Sequence, residues 1–527
     1  MQIKTLWPPN GGVSLFASLG VALLVASPVG AQLGSAGTQF WSQDSTGIGV
    51  GLEAGSEMGT AVAAGDFNCD GFDDLAAGMP LEDLVQGDDA GRVLILWGGP
   101  DGITADGNVA WGQNSPVIED QAETNDRFGS VLAAGDFDAD GCDDLAVGVP
   151  REEISGLSTA GAVNVIYGSP SGLTGDDDLF VTQFSGDLAT SAEAGDFFGG
   201  ALAVGDLNAD GIDDLAVGSP GEDVGATEDA GMVHVMYGSM SGLQVTGTTA
   251  LRRGVELTGP AQVDEELGAA LAIGDFVGFS GDELAIGMPR SDVSGQDQAG
   301  AVVFVSDVDG FAFNTLWSQD SMDIPGVSED FDRFGSALAA GDFNGDGFDE
   351  LAIGVPEEDR ESPAIGSIGA VNVIDFVTEV HQIWTQDSLP PEAEGLDERF
   401  GSALVAGDFN GDGVDDLAIS APREDLGPFN MAGLVHVVQG ERGTGLVATD
   451  AQIWLQTIDP SEDGDLFGSA LAVGRFAGRG ADLAIGVPGE TVSGEATAGG
   501  VNVLYTEVLF HDGFESGDTS AWSAVIP

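Results

Sequence analysis

The chain has 527 residues with 88 acidic against 14 basic side chains, a formal net charge of −74, which excludes nucleic acid and anionic membrane surfaces as natural partners. Apolar residues make up 43% of it, too many for an acidic disordered chain, so the carboxylates belong to loops of a folded protein. So large a charge repels itself, which makes bound cations or high salt a condition of stability.

Residues 1–31 read as a secretory signal peptide: Lys4, an apolar run from Val13 to Ala26, then Val29-Gly30-Ala31 with small residues at the cleavage positions. The expectation is therefore a secreted or surface-exposed protein. No later stretch approaches the roughly 18 to 20 apolar residues of a membrane span, so the mature chain is expected to have none.

From residue 38 a unit recurs. Thr38-Gln39-Phe40-Trp41-Ser42-Gln43 has near-copies of its Trp-x-Gln core at Trp111, Trp317, Trp384 and Trp454, with weaker versions at Val181-Thr182-Gln183 and around Leu251. Each is followed by an FG-like pair beginning at Met58, Phe128, Phe198, Leu267, Phe334, Phe400 or Phe467. An AxAxGD strand, an acidic loop, a DLAxGxP strand and a third apolar strand follow. Seven units of four short strands with Gly-rich turns predict an all-β fold, a seven-bladed β-propeller over residues 38–506. The last unit lacks its own Trp-x-Gln strand, and an orphan copy around Trp41 precedes the first, so the N-terminal strand is expected to close the ring.

The acidic loop carries the chemistry. In Phe334 to Pro356, Asp342, Asn344, Asp346 and Glu350 stand at positions 1, 3, 5 and 9, Gly347 at position 6 permits a sharp turn, and Phe348 at position 7 offers its backbone carbonyl. Oxygens at alternate positions of a tight loop suit Ca²⁺, with water completing six to eight ligands. Equivalent sets are Asp66, Asn68, Asp70, Phe72 and Asp74 in blade 1, and Asp136, Asp138, Asp140, Cys142 and Asp144 in blade 2. Blade 3 has Asp206, Asn208, Asp210, Ile212 and Asp214; blade 6 has Asp408, Asn410, Asp412, Val414 and Asp416. About five Ca²⁺ sites are expected. Blade 4 has Val277 and Phe279 at positions 3 and 5 and is expected to hold none. The shorter loop of blade 7 carries Arg475 and Arg479 near the first and third ligand positions, where a guanidinium replaces the cation or the loop is simply empty.

These units resemble FG-GAP repeats, which build the seven-bladed propeller of integrin α chains and of many secreted bacterial proteins; Phe334-Gly335 and Gly354-Val355-Pro356 mark the two ends of one motif. The resemblance implies extracellular calcium binding and adhesion or recognition of an extracellular protein or carbohydrate ligand. It places that ligand on the face opposite the acidic loops. There lie Arg151-Glu152-Glu153, Asp332-Arg333, Glu357-Glu358-Asp359-Arg360, Glu398-Arg399 and Arg423-Glu424-Asp425, read alternatively as a solvated rim of charge pairs.

Cys69 and Cys142 occupy unequal loop positions, which favours two free thiols although export permits a bridge. His234 and His436 share one third-strand position with Asn164 and Asn372, as ordinary strand residues do, and with His381 and His511 form no catalytic or zinc constellation. The expected protein is a binding or adhesion module without catalysis of its own. Two other readings stay open: a polysaccharide-acting lyase or hydrolase on a propeller scaffold, and a structural matrix component. The tail, residues 507–527 with DGFESGDTSAWS, reads as a processing or sorting segment, a last strand or a loose end.

Overall fold

A computed structural model describes residues 32–188, 192–279, 281–306, 313–359, 367–389, 397–456 and 461–507. The expected signal peptide and the tail segment with His511 lie outside the described residues, as does Arg360. Seven antiparallel sheets of four strands each form the blades. In blade 1 they are Val62–Gly65, Asp74–Met79, Arg92–Trp97 and Thr104–Trp111, paired in chain order.

Blade 7 is assembled from both ends of the described chain. Leu471–Gly474, Asp482–Val487 and Gly500–Glu507 supply three strands, and Gln32–Trp41 adds the fourth, with Phe40 opposite Asn502 and Trp41 opposite Val501. The ring therefore closes as the displaced Trp-x-Gln copy required. The innermost strands touch in a cycle that returns from Leu471–Gly474 to Val62–Gly65.

Packing explains the repeated letters. Every second strand, such as Asp144–Val149, is buried at all positions, hence its unbroken apolar run. The Phe after most GD steps, Leu207 in blade 3, wedges between blades; Phe67 of blade 1 lies in one cluster with Leu145 and Val147 of blade 2. The glycine of each GxP packs its Cα against the carbonyl of the next blade's FG glycine, so that a Cβ on Gly78, Gly148, Gly218, Gly287, Gly354 or Gly486 would overlap that oxygen. Only glycine permits so close an approach. Blade 6 has Ser420 at this position, and its hydroxyl donates no shape there but accepts from the Ala403 N–H at 2.8 Å.

The acidic loops also latch neighbouring blades. Asp143, at position 8 of loop 2, accepts from the Asp66 N–H at 2.8 Å, while its own N–H donates to the Asp66 carbonyl. The same double contact joins Asp213 to Asp136, Asp282 to Asp206, Asp349 to Asp275 and Asp415 to Asp342. Asp73 closes the circle on Arg475 of blade 7 at 2.7 Å. Ala481 stands at that position in blade 7, so the junction of blades 6 and 7 has no such carboxylate.

Gly218→Ala, which sets a methyl group against the Gly268 carbonyl, should destabilise the ring by about 1–3 kcal/mol. Thermal unfolding followed by circular dichroism reads this directly; an unchanged Tm for Gly218→Ala would show that glycine contact does not set blade spacing.

Candidate metal centres

Each acidic loop is wound around its first carboxylate. In loop 1 Asp66 accepts from the Asp70 and Gly71 N–H groups at 2.9 and 2.8 Å, and Asp70 accepts from Phe72 at 3.0 Å. Loops 2, 3, 5 and 6 repeat this, with Asp136, Asp206, Asp342 and Asp408 at the centre. The position 5 carboxylates Asp140, Asp210, Asp346 and Asp412 accept from the N–H of Cys142, Ile212, Phe348 and Val414. The position 9 carboxylate is fixed from below: Asp74, Asp144, Asp214 and Asp416 accept from the N–H groups of Gly98, Gly168, Gly238 and Gly440 at 2.8–3.0 Å.

Four of these loops are left with a buried oxygen that has no partner, and loop 1 has two. Asn68 Oδ1 and Asp74 Oδ2, Asp214 Oδ2, Asn344 Oδ1 and Asp416 Oδ2 are buried without a hydrogen-bond partner, in blades 1, 3, 5 and 6. In blade 2, carboxylate oxygens of Asp136, Asp138 and Asp144 lie within 4.8 Å of one another. Buried acceptors that face no donor fit a hard cation with oxygen ligands. Burial first, and then neighbouring loop carboxylates, push Asp74, Asp144 and Asp416 up to about 8 and Asp214 to about 7. Burial followed by Asp375 takes Glu350 to about 8.

The two divergent loops differ. In blade 4, Asp275 turns to the Gly278 N–H at 2.8 Å, Phe279 is exposed, and Glu283 accepts from the Phe276 N–H at 2.8 Å; its Oε1 is buried without a partner as in the other loops, but Val277 and Phe279 supply no side-chain oxygen to complete a ligand set. In blade 7 both oxygens of Asp482 are taken by N–H groups, Ala477 at 3.0 Å and Thr506 at 2.8 Å. Arg479 instead reaches the Pro100 carbonyl at 3.3 Å, though its charge moderates the rise of Asp482 to about 6 that burial causes.

Two expectations are corrected. Cys69 and Cys142 form a disulfide, with Cα atoms 4.8 Å apart. Unequal loop positions had counted against it, but the ring offsets neighbouring loops so that position 4 of one meets position 7 of the next: Gly278 with Phe348, Gly345 with Val414, and Gly478 with Phe72. The disulfide is the covalent version of that contact. On the opposite face, Glu152, Asp332, Glu398 and Glu424 are buried rather than rim residues. Glu152, Glu358 and Glu424 take hydrogen bonds from Gln113, Gln319 and Gln386 at 2.5–2.9 Å. The glutamine of each Trp-x-Gln thus ties one blade to the next, a role hidden by the separation of its partners in sequence. His234 and His436 are strand residues as expected, packed edge-on against Phe198 and Phe400 and held neutral by burial, which lowers each to about 4.

Fold and loops together define a closed seven-bladed propeller with acidic, cation-competent turns between the first two strands of five blades. Residues 58–96, 128–166, 198–236, 334–373 and 400–438 match the FG-GAP repeat, and these are the same five blades. The chain is an FG-GAP repeat protein related to integrin α chains. Phosphatidylinositol-glycan-specific phospholipase D of Rattus norvegicus is 40% identical over 116 residues, 22% of this chain and 14% of the relative. Integrin alpha-PS2 of Drosophila melanogaster is 28% identical over 255 residues, 47% of this chain and 16% of the relative. The matches thus span a small part of those relatives' own length. A solved structure, the Dos1 propeller, aligns with a TM-score of 0.43 at 12% identity over 82% of this chain and 89% of that one, too loose a superposition to argue from. Among the described residues, no helix is long and apolar enough to cross a membrane.

A carboxyl held near 8 in the folded chain, as Asp74, Asp144 and Asp416 are, keeps a proton that the unfolded chain has released, so folding is favoured as pH falls through that interval. The metal-free protein should therefore melt at higher temperature as pH is lowered from about 9 to about 6. Added Ca²⁺ should raise Tm more at the upper end, where it does not compete with protons. Scanning calorimetry with and without chelator measures both slopes; a metal-free Tm that falls on acidification over this range contradicts the assignment.

Proposed function

We propose that the protein is a calcium-stabilised propeller, secreted or displayed at the cell surface, that serves as an adhesion or ligand-binding module without catalysis of its own. The unpartnered buried oxygen in the acidic loops carries this reading, because it calls for a cation. Calcium would be held in blades 1, 2, 3, 5 and 6 by the side chains at positions 1, 3, 5 and 9 with the position 7 carbonyl. It would hold each loop in the shape that presents the position 8 carboxylate to the preceding blade, so that metal binding and ring closure reinforce each other. The integrin relatives support recognition of an extracellular partner, and the loops at the other end of the strands are the free surface for it. The expected signal peptide fits the same setting.

Calorimetric titration of the metal-free protein with Ca²⁺ should show one ion per acidic loop, each saturated site adding about 2.7 kcal/mol at a hundredfold excess over its Kd. Asp138→Ala should remove one equivalent and leave the other loops filled. Binding to immobilised extracellular proteins or glycans, measured by surface plasmon resonance, should be lost with chelator and regained with Ca²⁺. No Ca²⁺ uptake, with salt alone restoring stability, would overturn the site assignment.

A further inference from the structure

At the other end of the strands, six of the seven junctions between blades contain the glutamine that follows the outer strand, an acid two residues after the GxP proline, and a residue two before the FG pair, which is Ser56 into blade 1 and an acid in the other five. Blade 2 combines Gln113, Glu152 and Asp126, only 1–2% exposed, with carboxylate oxygens of Glu123, Asp126 and Glu152 within 4.8 Å of one another. The Gln113 amide donates to Glu152 at 2.5 Å and to Asp120 at 2.9 Å. Its Oε1 is buried with no donor. The junction into blade 1 shows where that oxygen points. There Gln43 donates to Glu82 at 2.6 Å, and its Oε1 accepts from Ser56 Oγ at 3.0 Å. Ser56 stands two residues before Met58 as Asp126 stands two before Phe128. In blade 2 the donor has thus been replaced by a second acceptor, and amide oxygen and carboxylate face each other.

The junction into blade 4 shows the other way to settle that contact. Arg253 occupies the glutamine position and pairs with the buried Glu265, two residues before Leu267, while Ser291 replaces the second acid. A fixed positive charge enters where one carboxyl leaves. Blade 2 keeps both carboxyls, as blades 3, 5, 6 and 7 do, but among the described residues it is here that a third, Glu123, comes within 4.8 Å of the pair, and the charges acting most strongly on Glu152 are the further acids Asp120 and Asp126. We propose that the junction of blades 1 and 2 binds a hard divalent cation such as Ca²⁺ through Gln113 Oε1, Asp126, Glu152 and Glu123, separate from the acidic loops. Glu123 is exposed and, with Gln113 and Asp120, lines an open cleft of about 600 Å³, so the ion is reachable from solvent and keeps coordination positions for oxygen ligands from outside.

The chain supplies its own test variants. Asp126→Ser copies the junction into blade 1, a solution that already folds in this protein, and Gln113→Arg brings in the guanidinium that the junction into blade 4 uses. After equilibrium dialysis against CaCl₂, and in parallel MgCl₂, bound metal is counted by mass spectrometry for wild type, both variants and the loop variant Asp138→Ala. Each junction variant should bind one ion fewer than wild type, and Asp138→Ala combined with Asp126→Ser two fewer. Asp120→Asn, which removes a carboxylate that orients the Gln113 amide, should weaken the same ion about 10- to 100-fold without removing it. Equal metal counts in wild type, Asp126→Ser and Gln113→Arg overturn the proposal and leave Asp126 and Glu152 sharing a proton. Because the loop variant reports independently, failure of this site is distinguishable from failure of the loops.

Discussion

Carboxylates join the blades of this protein to one another. On the side of the acidic loops, the position 8 aspartate of one blade accepts the N–H of position 1 in the blade before it, as Asp143 does with Asp66. At the other end the acid after the GxP accepts the amide of the preceding blade's glutamine, as Glu152 does with Gln113, except into blade 4, where Ser291 and Arg253 stand. A carboxylate that accepts N–H bonds is held well only while it is charged, and burial opposes that charge. The junctions therefore depend on whatever neutralises the surplus, and with thirteen arginines and one lysine in the chain, side-chain cations cannot do it generally. Under the proposed function, calcium in the loops would supply positive charge next to the latch; blade 7, which lacks the full ligand set, alters its latches instead.

That pattern is visible in the exceptions. Blade 7 loses its first loop carboxylate to Arg475, yet the backbone N–H of Arg475 still receives Asp73, so the latch that closes the ring survives the loss of the ligand. Its other neighbour fares differently, because Ala481 leaves the junction with blade 6 without an aspartate. Blade 7 is also the sheet completed by the N-terminal strand, whose ten residues Gln32–Trp41 bind it from the outer edge. A blade built from both ends of the described chain thus combines one missing latch with an added strand.

Much of this was legible in the sequence, because seven copies average out local ambiguity. The strand count, the closing strand around Trp41, the acidic ligand sets and the divergent loops of blades 4 and 7 all follow from aligning the copies with one another. What stayed hidden is what passes between copies. The offset that sets position 4 of one loop beside position 7 of the next cannot be read within a repeat, so Cys69 and Cys142 read as mismatched although the ring brings them together. Gln113 and Glu152 are 39 residues apart in chain order, and neither looks unusual among 88 acids and many polar turns. Position 8 was masked for a similar reason: Asp73 and Asp143 read as part of an acidic run until their neighbours in the adjacent blade are seen.

The two ends of the ring use acid differently, and the difference bears on recognition. In the loops the carboxylates converge within one short segment, which makes a site that survives rigid-body shifts between blades. At the opposite end Gln113 comes from the outer strand of blade 1, whereas Asp126 and Glu152 belong to blade 2, so the group exists only when the two blades are in register. A cation or ligand held there would sense the spacing between blades directly, whereas one held in a loop would sense it only through the position 8 latch. The disulfide lies at this same junction, fastening loops 1 and 2 at the far end of the strands. The pair of blades whose junction gathers Glu123, Asp126 and Glu152 at one end is thus the pair covalently fixed at the other, which limits the movement that would pull Gln113 away from Glu152.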